Sequence, residues 1–255
     1  MCARYVITSP ADAVRALFGY AERPSFPPRF NVAPTQPIPI VRLEAGKPVF
    51  ALARWGFLPA WVKDPRTFSL LVNARGESVL DKPAFRSAMR YRRCLIPADG
   101  FYEWAHDGAR KRPYFVRPKA GGPIAFAGLW EAWLGPNGEE METAAIVTTA
   151  ANRALRPIHD RMPVTIAPEA FDLWLDCGRV DAQTAAALIM PAPDDFFEAY
   201  EVSTAVNRAA NDSAALIEPV RAVAGVQQPV TDKPASEKVA AKKKPIKDDG
   251  QASLF

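Results

Sequence analysis

Hydrophobic residues along this chain fall mostly into short runs rich in β-branched and aromatic residues, with turn residues between them. Such runs are typical of strands. Strands are predicted at ARYVIT, at IPIVRL and PVFALARW around the hairpin turn EAGK, and at PYFVRP, IAFAGLWEAWL, TAAIVTTA and MPVTIA. A helix is predicted at SPADAVRALFGY, with Ser9 as its N-cap and Pro10 as its first residue. Shorter helices are predicted at KPAFRSAMRY, APEAFDLWLD and DAQTAAALI.

The order of these elements predicts the fold class. Strands follow strands more often than they alternate with helices, so we expect a single α+β domain with a mainly antiparallel, curved or barrel-like sheet flanked by short helices. The pattern weakens near Val220, because the remaining residues are rich in Ala, Lys, Pro and Asp and bury too little apolar surface to offset the entropy of ordering. We therefore predict a folded domain over residues 1–219 and a disordered basic tail over residues 220–255.

Composition narrows the cellular setting. The 255 residues carry a net charge of +4, which permits an anionic partner such as nucleic acid without requiring one. The three cysteines are odd in number and far apart, which argues against a disulfide framework and fits a reducing compartment. The sequence has no recognisable secretory signal, membrane-span pattern or metal-ligand spacing. We therefore expect a cytoplasmic protein that acts as a monomer without a metal or other cofactor.

Cys2 is chemically unusual if Met1 is removed. It then carries an α-amine and a thiol on adjacent carbons, and both groups have ordinary pKa values that leave usable deprotonated fractions near neutral pH. A 1,2-aminothiol is well suited to capture an aldehyde, because the amine condenses to a Schiff base and the thiol then closes a thiazolidine ring. Taken alone, an incidental surface cysteine is the commoner interpretation.

Polar and aromatic residues also concentrate in segments that do not fit a plain core. These segments are NVAPTQ (31–36), RWGFLPAWVKDP (54–65), VNARGES (72–78), PADGFYEWA (97–105) and PIHDRMP (157–163). If VNARGES is extended, Asn73, Arg75 and Glu77 point to one side. Glu103 is either a reactive carboxylate or a surface residue of an amphipathic strand, and His159 is either a functional or a structural histidine.

Together these segments resemble the SOS response-associated peptidase family, whose members are also called abasic-site processing or abasic-site shield proteins. The matching motifs are, in chain order, MC-R, NVAPTQ, WGFLPAW, NARGE, CLIPADGFYEW, FAGLWE, VTTAAN and HDRMPV. They cover essentially the whole predicted domain. Several matches in one order are far more specific than any one of them alone.

The resemblance implies a reaction. In that family the N-terminal cysteine forms a stable thiazolidine with the ring-opened aldehyde of an abasic site in single-stranded DNA, which shields the lesion during the DNA damage response. The motifs carry the catalytic roles to Cys2, Asn73, Glu103 and His159. We expect His159 to move the protons that open the sugar, Glu103 to hold the α-amine and shuttle protons, and Asn73 to hold the N-terminal residue or a sugar oxygen. The other histidine, His106, is expected in an exposed turn.

The same motifs carry the predicted DNA contacts. Arginine forks suit phosphate oxygens, and aromatic side chains stack on bases without reading their sequence. The predicted DNA-binding residues are Arg4, Arg75 and Arg161 for phosphates and Trp55, Phe57, Leu58 and Trp61 for bases, with Lys63 and Arg66 in the adjoining loop.

The tail ends in QASLF, which resembles the bacterial sliding-clamp-binding pentapeptide. Gln251, Leu254 and Phe255 are predicted to fill the pocket on the replication clamp. The alternative is a disordered terminus that ends on a hydrophobic pair by chance.

Two other functions use the same residues. Cys2 could act as an N-terminal nucleophile that hydrolyses amides, which is the peptidase activity in the family's name, or the domain could bind single-stranded DNA without a covalent bond. Strand cleavage by β-elimination from the Schiff base is a lyase side activity that ring closure by the thiol would suppress. The intact mass of the protein after exposure to abasic and undamaged oligonucleotides distinguishes these interpretations.

Overall fold

Strands dominate the computed structural model, which describes residues 2–108 and 110–220. In this part of the chain the strands are β1 Tyr5–Ile7, β2 Arg29–Val32, β3 Pro37–Glu44, β4 Lys47–Trp55, β5 Asn73–Arg75, β6 Arg93–Ala98, β7 Gly100–Asp107, β8 Arg110–Pro118, β9 Ile124–Leu134, β10 Glu140–Ala150, β11 Arg161–Pro163, β12 Thr165–Ile166 and β13 Phe197–Glu201. The α-helices are short and comprise α1 Ala11–Phe18, α2 Arg86–Tyr91, α3 Phe171–Leu175 and α4 Ala182–Ala186. Single turns of 3-10 helix cover Pro65–Thr67, Gly76–Ser78, Pro168–Ala170, Thr204–Asn207 and Ala214–Ile217. Over the described ranges, none of the helices has the length and apolar character that crossing a lipid bilayer requires.

The larger sheet closes on itself. β10 pairs with both β4 and β9, which completes the ring β10–β4–β3–β6–β9. β5 and β4 lie parallel to β10, and the other pairings of this sheet are antiparallel. The second sheet is antiparallel throughout, in the order β13–β8–β7–β1–β2. The prediction of an α+β fold with a mainly antiparallel, barrel-like sheet is confirmed.

The hairpin of β3 and β4 forms as the turn residues EAGK predict. Its register runs from Pro37 opposite Arg54 to Glu44 opposite Lys47, which leaves Ala45 and Gly46 as a two-residue turn. Both turn residues have positive φ, 47° and 76°. Two such residues make a type I′ turn, whose twist matches the right-handed twist of the strands it joins.

Helix α1 begins differently from the prediction. Pro10 takes the N-cap position and the helix has no side-chain cap, so the assignment of Ser9 as N-cap is wrong. The amide and hydroxyl of Ser9 donate instead to the carboxylate of Asp99, in the link between β6 and β7. A charge-assisted hydrogen bond to a carboxylate is stronger than a neutral hydroxyl cap, and only the folded chain brings Asp99 within reach.

A buried arginine joins α2 and α3 to β6. Arg93 is 1% exposed, and its guanidinium donates to the carbonyls of Met89 (2.9 Å), Trp174 (2.5 Å), Asp176 (3.2 Å) and Val180 (2.8 Å). Carbonyls near the C-terminal end of a helix have no partner within the helix. Arg93 therefore satisfies such groups from two helices at once, and this fixes both helices against the barrel.

Part of the predicted organisation lies outside the described residues. This is the case for Met1 and for residues 221–255, which include the predicted clamp-binding residues Gln251, Leu254 and Phe255. The domain boundary near Val220 and the clamp contact therefore stay predictions.

Candidate active site

A cleft of about 330 Å³ opens beside the segment that leads into β1. It is lined by Ala3, Glu103, Trp104, His106, Lys111, His159 and Asn207. Two of the predicted catalytic residues, Glu103 and His159, therefore meet here although 56 positions separate them in the chain. Cys2 immediately precedes Ala3, so the cleft lies next to the predicted nucleophile.

Asn73 fixes the backbone of the predicted nucleophile. It is the first residue of β5, which lies parallel to β10 with Asn73 opposite Ile146. From this position the Asn73 side-chain amide donates to the Cys2 carbonyl at 2.8 Å. The Oδ1 atom of Asn73 is buried and accepts no hydrogen bond from any described residue. The prediction that Asn73 holds the N-terminal residue agrees with this geometry.

Glu103 lies in the middle of β7, where a carboxylate is costly to bury. It faces Tyr114 of β8 across the strand pair and is 3% exposed. The β1–β7 register pairs Tyr5 with Phe101, and its continuation by two residues brings Ala3 opposite Glu103. Burial raises the pKa of Glu103 to about 7. Glu103 is therefore no surface carboxylate of an amphipathic strand, and near neutral pH it can both accept and donate a proton.

The Cys2 thiol differs from the sequence-based expectation. The side chain is fully buried, and its sulfur lies 3.9 Å from the Arg4 carbonyl, to which the thiol donates. Burial first, and the negative charge of Glu103 second, raise the pKa of the Cys2 thiol far above its ordinary value. The expectation of a usable thiolate fraction near neutral pH is wrong for this fold. The thiol needs a base nearby, and Glu103 is the acidic residue that influences it.

His159 lies in the loop between β10 and β11. Its Nδ1 atom accepts the Arg161 backbone N–H at 3.0 Å, so in the neutral ring the proton is on Nε2. Burial lowers the pKa of His159 below its ordinary value, although the exposed Asp160 carboxylate is 3.1 Å from Nδ1. Near neutral pH His159 is therefore an uncharged imidazole in the wall of the cleft.

Three of the residues predicted to stack on DNA bases belong to the core. Trp55, Phe57 and Leu58 are 0%, 1% and 5% exposed. The Trp55 indole donates to the Val72 carbonyl at 2.9 Å and packs edge-on against Tyr5, with 5.4 Å between ring centroids. The assignment of these three residues to DNA stacking is therefore corrected. Trp55 instead braces β1, which follows Cys2 in the chain, and the entry to β5, which carries Asn73.

Trp61 is placed differently from the other aromatic residues of its motif. It is 60% exposed on the loop between β4 and β5, where it packs edge-on against Phe68 with 5.6 Å between ring centroids. Lys63 lies two residues further on, and Arg66 pairs with Asp64 at 3.0 Å. Trp61 is thus the member of the predicted stacking set that a base can reach.

The predicted phosphate-binding arginines differ in how many protein groups they already bind. Arg4 donates to the Asn31 side chain and to the carbonyls of Val206 and Asn207, so three of its hydrogen bonds go to protein. Arg161 forms a two-pronged ion pair with Glu77, at 2.5 and 2.9 Å. Both arginines therefore hold the site together.

Arg75 is the exposed cation of the three. Within the described residues it has no ion-pair partner. Its strand β5 ends at Arg75, and the chain turns into the 3-10 helix Gly76–Ser78. The expectation of a segment extended through Glu77 is therefore correct only as far as Arg75. Glu77 lies on the turn and binds Arg161.

Sequence reasoning missed the residues that form the rim of the cleft. His106 is exposed, as expected, but it lies in β7 directly opposite Lys111 of β8, and both line the cleft. Trp104 donates from its indole nitrogen to Oδ1 of Asn207 at 2.8 Å. The Asp-Gly pair at 107–108 predicts a hairpin at this place, but not its register, because a two-residue turn at Asp107 and Gly108 would not pair His106 with Lys111. Nothing in the local pattern points to Asn207.

The fold and the cleft define a class of protein: an α+β barrel in which the buried thiol of the second residue lies near a protonatable carboxylate and a neutral histidine. Residues 1–209 match the sequence profile of the SOS response associated peptidase (SRAP) family. The match covers most of the chain, and the protein belongs to this family.

Several relatives are similar over most of their length. The chain is 37% identical to the abasic site processing protein YoqW of Bacillus subtilis over 222 residues, which cover 86% of this chain and 99% of YoqW. It is 34% identical to the abasic site processing protein YedK of Escherichia coli, over 75% of this chain and 85% of YedK. The abasic site processing protein HMCES of Xenopus tropicalis is 27% identical over 84% of this chain and 76% of HMCES.

Solved structures share the fold. A crystal structure of a Bacteroides thetaiotaomicron protein superposes with a TM-score of 0.77 at 25% identity, over 86% of this chain and all of that protein. A crystal structure of a phage-related protein from Bordetella bronchiseptica superposes with a TM-score of 0.63 at 30% identity, over 79% of this chain and 94% of that protein.

Proposed function

We propose that this protein processes abasic sites in single-stranded DNA by covalent capture through Cys2 after Met1 is removed. Family membership and the relatives named as abasic site processing proteins support the coarse function. The observation that carries the covalent mechanism is the meeting of three groups. Asn73 holds the Cys2 backbone, the Glu103 carboxyl is protonatable near neutral pH, and His159 is neutral beside it.

The first half of the reaction forms a Schiff base. His159 donates a hydrogen bond from Nε2 to the sugar, which assists opening of the closed hemiacetal to the C1′ aldehyde. The α-amine of Cys2 attacks this carbonyl carbon to give a carbinolamine. Protonated Glu103 delivers a proton to the departing hydroxyl, and water leaves as the C=N bond forms.

The second half closes the ring. Glu103, now a carboxylate, accepts the proton of the buried Cys2 thiol, and the sulfur adds to the imine carbon while the imine nitrogen takes up a proton. The product is a thiazolidine, and water is the only molecule released. Because burial raises the pKa of the Cys2 thiol, ring closure needs Glu103 as a base. An exposed cysteine would need this base less. Ring closure removes the imine from which β-elimination would cleave the strand.

Intact-mass measurement tests the proposal. The purified protein is expected to lack Met1 and, after exposure to an abasic oligonucleotide, to gain the oligonucleotide mass minus one water. Cys2→Ala is expected to give no stable adduct, whereas Cys177→Ala, which changes a cysteine outside the cleft, reacts like the unchanged protein.

Other outcomes would overturn the proposal in distinguishable ways. A stable adduct that persists in Cys2→Ala removes the thiol from the reaction. A gel shift with no change of mass favours the non-covalent DNA-binding module. Cleavage of peptide substrates that depends on Cys2, without any DNA adduct, favours the N-terminal-nucleophile peptidase.

A further inference from the structure

We propose that Lys111, His106 and Asn207 form a phosphate subsite on the cleft rim, which binds a DNA phosphodiester flanking the abasic sugar. This inference rests on the proposed function and extends it to the placement of the strand. The three residues come from β7, β8 and the 3-10 helix Thr204–Asn207, and all three line the cleft that also contains Glu103 and His159.

Lys111 supplies the charge of this subsite. It is exposed, and across residues 2–108 and 110–220 it has neither an ion-pair nor a hydrogen-bond partner. Its cross-strand partner is His106, whose ring adds a hydrogen-bond donor at the same level of the hairpin. An uncompensated ammonium beside a second donor suits a phosphate oxygen and is poorly suited to a base edge.

Asn207 is oriented for the same ligand. Indole Nε1–H is a donor only, so the atom that faces it at 2.8 Å must be the Asn207 Oδ1, and the Nδ2 amide group is left with two donors. No described residue accepts from Nδ2. Arg4 binds the carbonyls of Val206 and Asn207, which fixes the backbone beneath this amide. Arg4 is thus a positioning residue for the subsite.

The location of the subsite sets the path of the strand. Of the acidic side chains that the structure describes near the cleft, Glu103 is buried and Asp160 is beside Nδ1 of His159. His106 and Lys111 belong to the five-stranded sheet, whereas the exposed Arg75 belongs to the barrel sheet. Two cations from different sheets can therefore bind different phosphates, with the reacting sugar between them.

Binding to an oligonucleotide with a tetrahydrofuran abasic analogue tests the subsite, because this analogue has no aldehyde and reports non-covalent affinity alone. Lys111→Gln is expected to weaken binding by about 3- to 10-fold at moderate salt and to reduce the slope of log affinity against log salt by about 0.7. Lys111→Arg is expected to restore the slope. Lys47→Gln, which removes an exposed lysine of the β3–β4 hairpin, is the matched control and is expected to change nothing.

A neutral methylphosphonate linkage on each side of the analogue identifies the phosphate. One of the two substitutions is expected to weaken binding of the unchanged protein and to have no effect on Lys111→Gln. Equal salt slopes for Lys111→Gln and Lys47→Gln would overturn the subsite. So would methylphosphonate linkages that each weaken binding of Lys111→Gln as much as they weaken binding of the unchanged protein. Adduct formation with a natural abasic site is measured separately. If the unchanged protein forms no adduct, the proposed function is refuted, and the binding results for the subsite are unaffected.

Discussion

Glu103 is an ionisable residue that the fold holds in an unfavourable place. A carboxylate in a strand interior would ordinarily be selected for exposure, yet this one is 3% exposed and has a pKa of about 7. Cys2 and His159 show the same trend, because burial disfavours the charged form of each group. At the scale of the residue, the site is thus a set of groups that burial keeps uncharged near neutral pH.

The pKa of Glu103 predicts a pH-dependent effect on stability. Below its ordinary value of 4.5 the carboxyl is protonated in the folded and unfolded chain alike, and above about pH 7 the folded chain alone holds a buried charge. Glu103→Gln is therefore expected to raise the free energy of unfolding relative to the unchanged protein as pH increases through this window, by at most about 3 kcal/mol. Urea unfolding at pH 4.5 and pH 8 measures the change.

The exposed Glu169→Gln is the control for this prediction and should show the same difference at both pH values. A Glu103→Gln effect that does not vary with pH would contradict the raised pKa. If Glu103→Gln gains stability and also loses adduct formation, Glu103 destabilises the fold and is required for the reaction.

The elements of this fold differ in how well their local sequence predicts their structure. The β3–β4 hairpin is specified locally, because its two strand-forming runs and its two-residue turn agree with each other. Helix α1 is not, since the hydroxyl expected to cap it binds Asp99. β7 and β8 form a second hairpin, and its rim residues line the cleft together with residues of the loop before β11 and of the Thr204–Asn207 turn.

The hairpin turn predicts a stabilising substitution. Ala45 has φ 47°, a left-handed conformation that costs a residue with a Cβ about 1 kcal/mol and that Asn adopts more readily. Ala45→Asn is expected to raise the free energy of unfolding by about 0.5–1 kcal/mol, measured by chemical denaturation. Gly46→Ala is the matched opposite, because its φ is 76° and no atom lies within 4 Å of an added Cβ. Its expected loss of about 1 kcal/mol is pure backbone strain, and a neutral result would contradict the type I′ assignment.

The whole molecule brings together a closed ring of strands and a second antiparallel sheet, and the site uses both. β5 of the barrel sheet carries Asn73, whereas β1 and β7 of the other sheet lead from Cys2 and carry Glu103. Interactions that hold the two sheets in place therefore affect the relative positions of Asn73, Cys2 and Glu103. Trp55 and Arg93 are such residues, and neither touches the cleft.

Arg93 predicts a large effect on global stability. Replacement by Met removes a donor from four carbonyls at or just beyond the ends of α2 and α3, of which the Asp176 carbonyl still accepts the Val180 N–H at 2.9 Å. Each buried group left unpaired costs about 1–3 kcal/mol, and partial relaxation reduces the sum, so Arg93→Met is expected to lower the free energy of unfolding by roughly 3–5 kcal/mol. Thermal and urea denaturation measure it. Arg179→Met, which removes an exposed arginine of the same region, is the control and should cost less than about 1 kcal/mol; equal costs would contradict the bridging role of Arg93.

The strand-rich fold class and the β3–β4 hairpin follow from the amino-acid sequence, and its motifs predicted that Asn73, Glu103 and His159 belong to one site. These depend on short-range periodicity, on turn chemistry and on motifs whose order is visible in the chain. Tertiary structure alone decided which aromatic residue of WGFLPAW is exposed, what Ser9 binds, and that Lys111 and Asn207 meet at the cleft. It also decided the pKa values of Cys2 and Glu103. The physical reason is that burial, desolvation and hydrogen-bond competition are set by atoms far away along the chain, and no local pattern contains them.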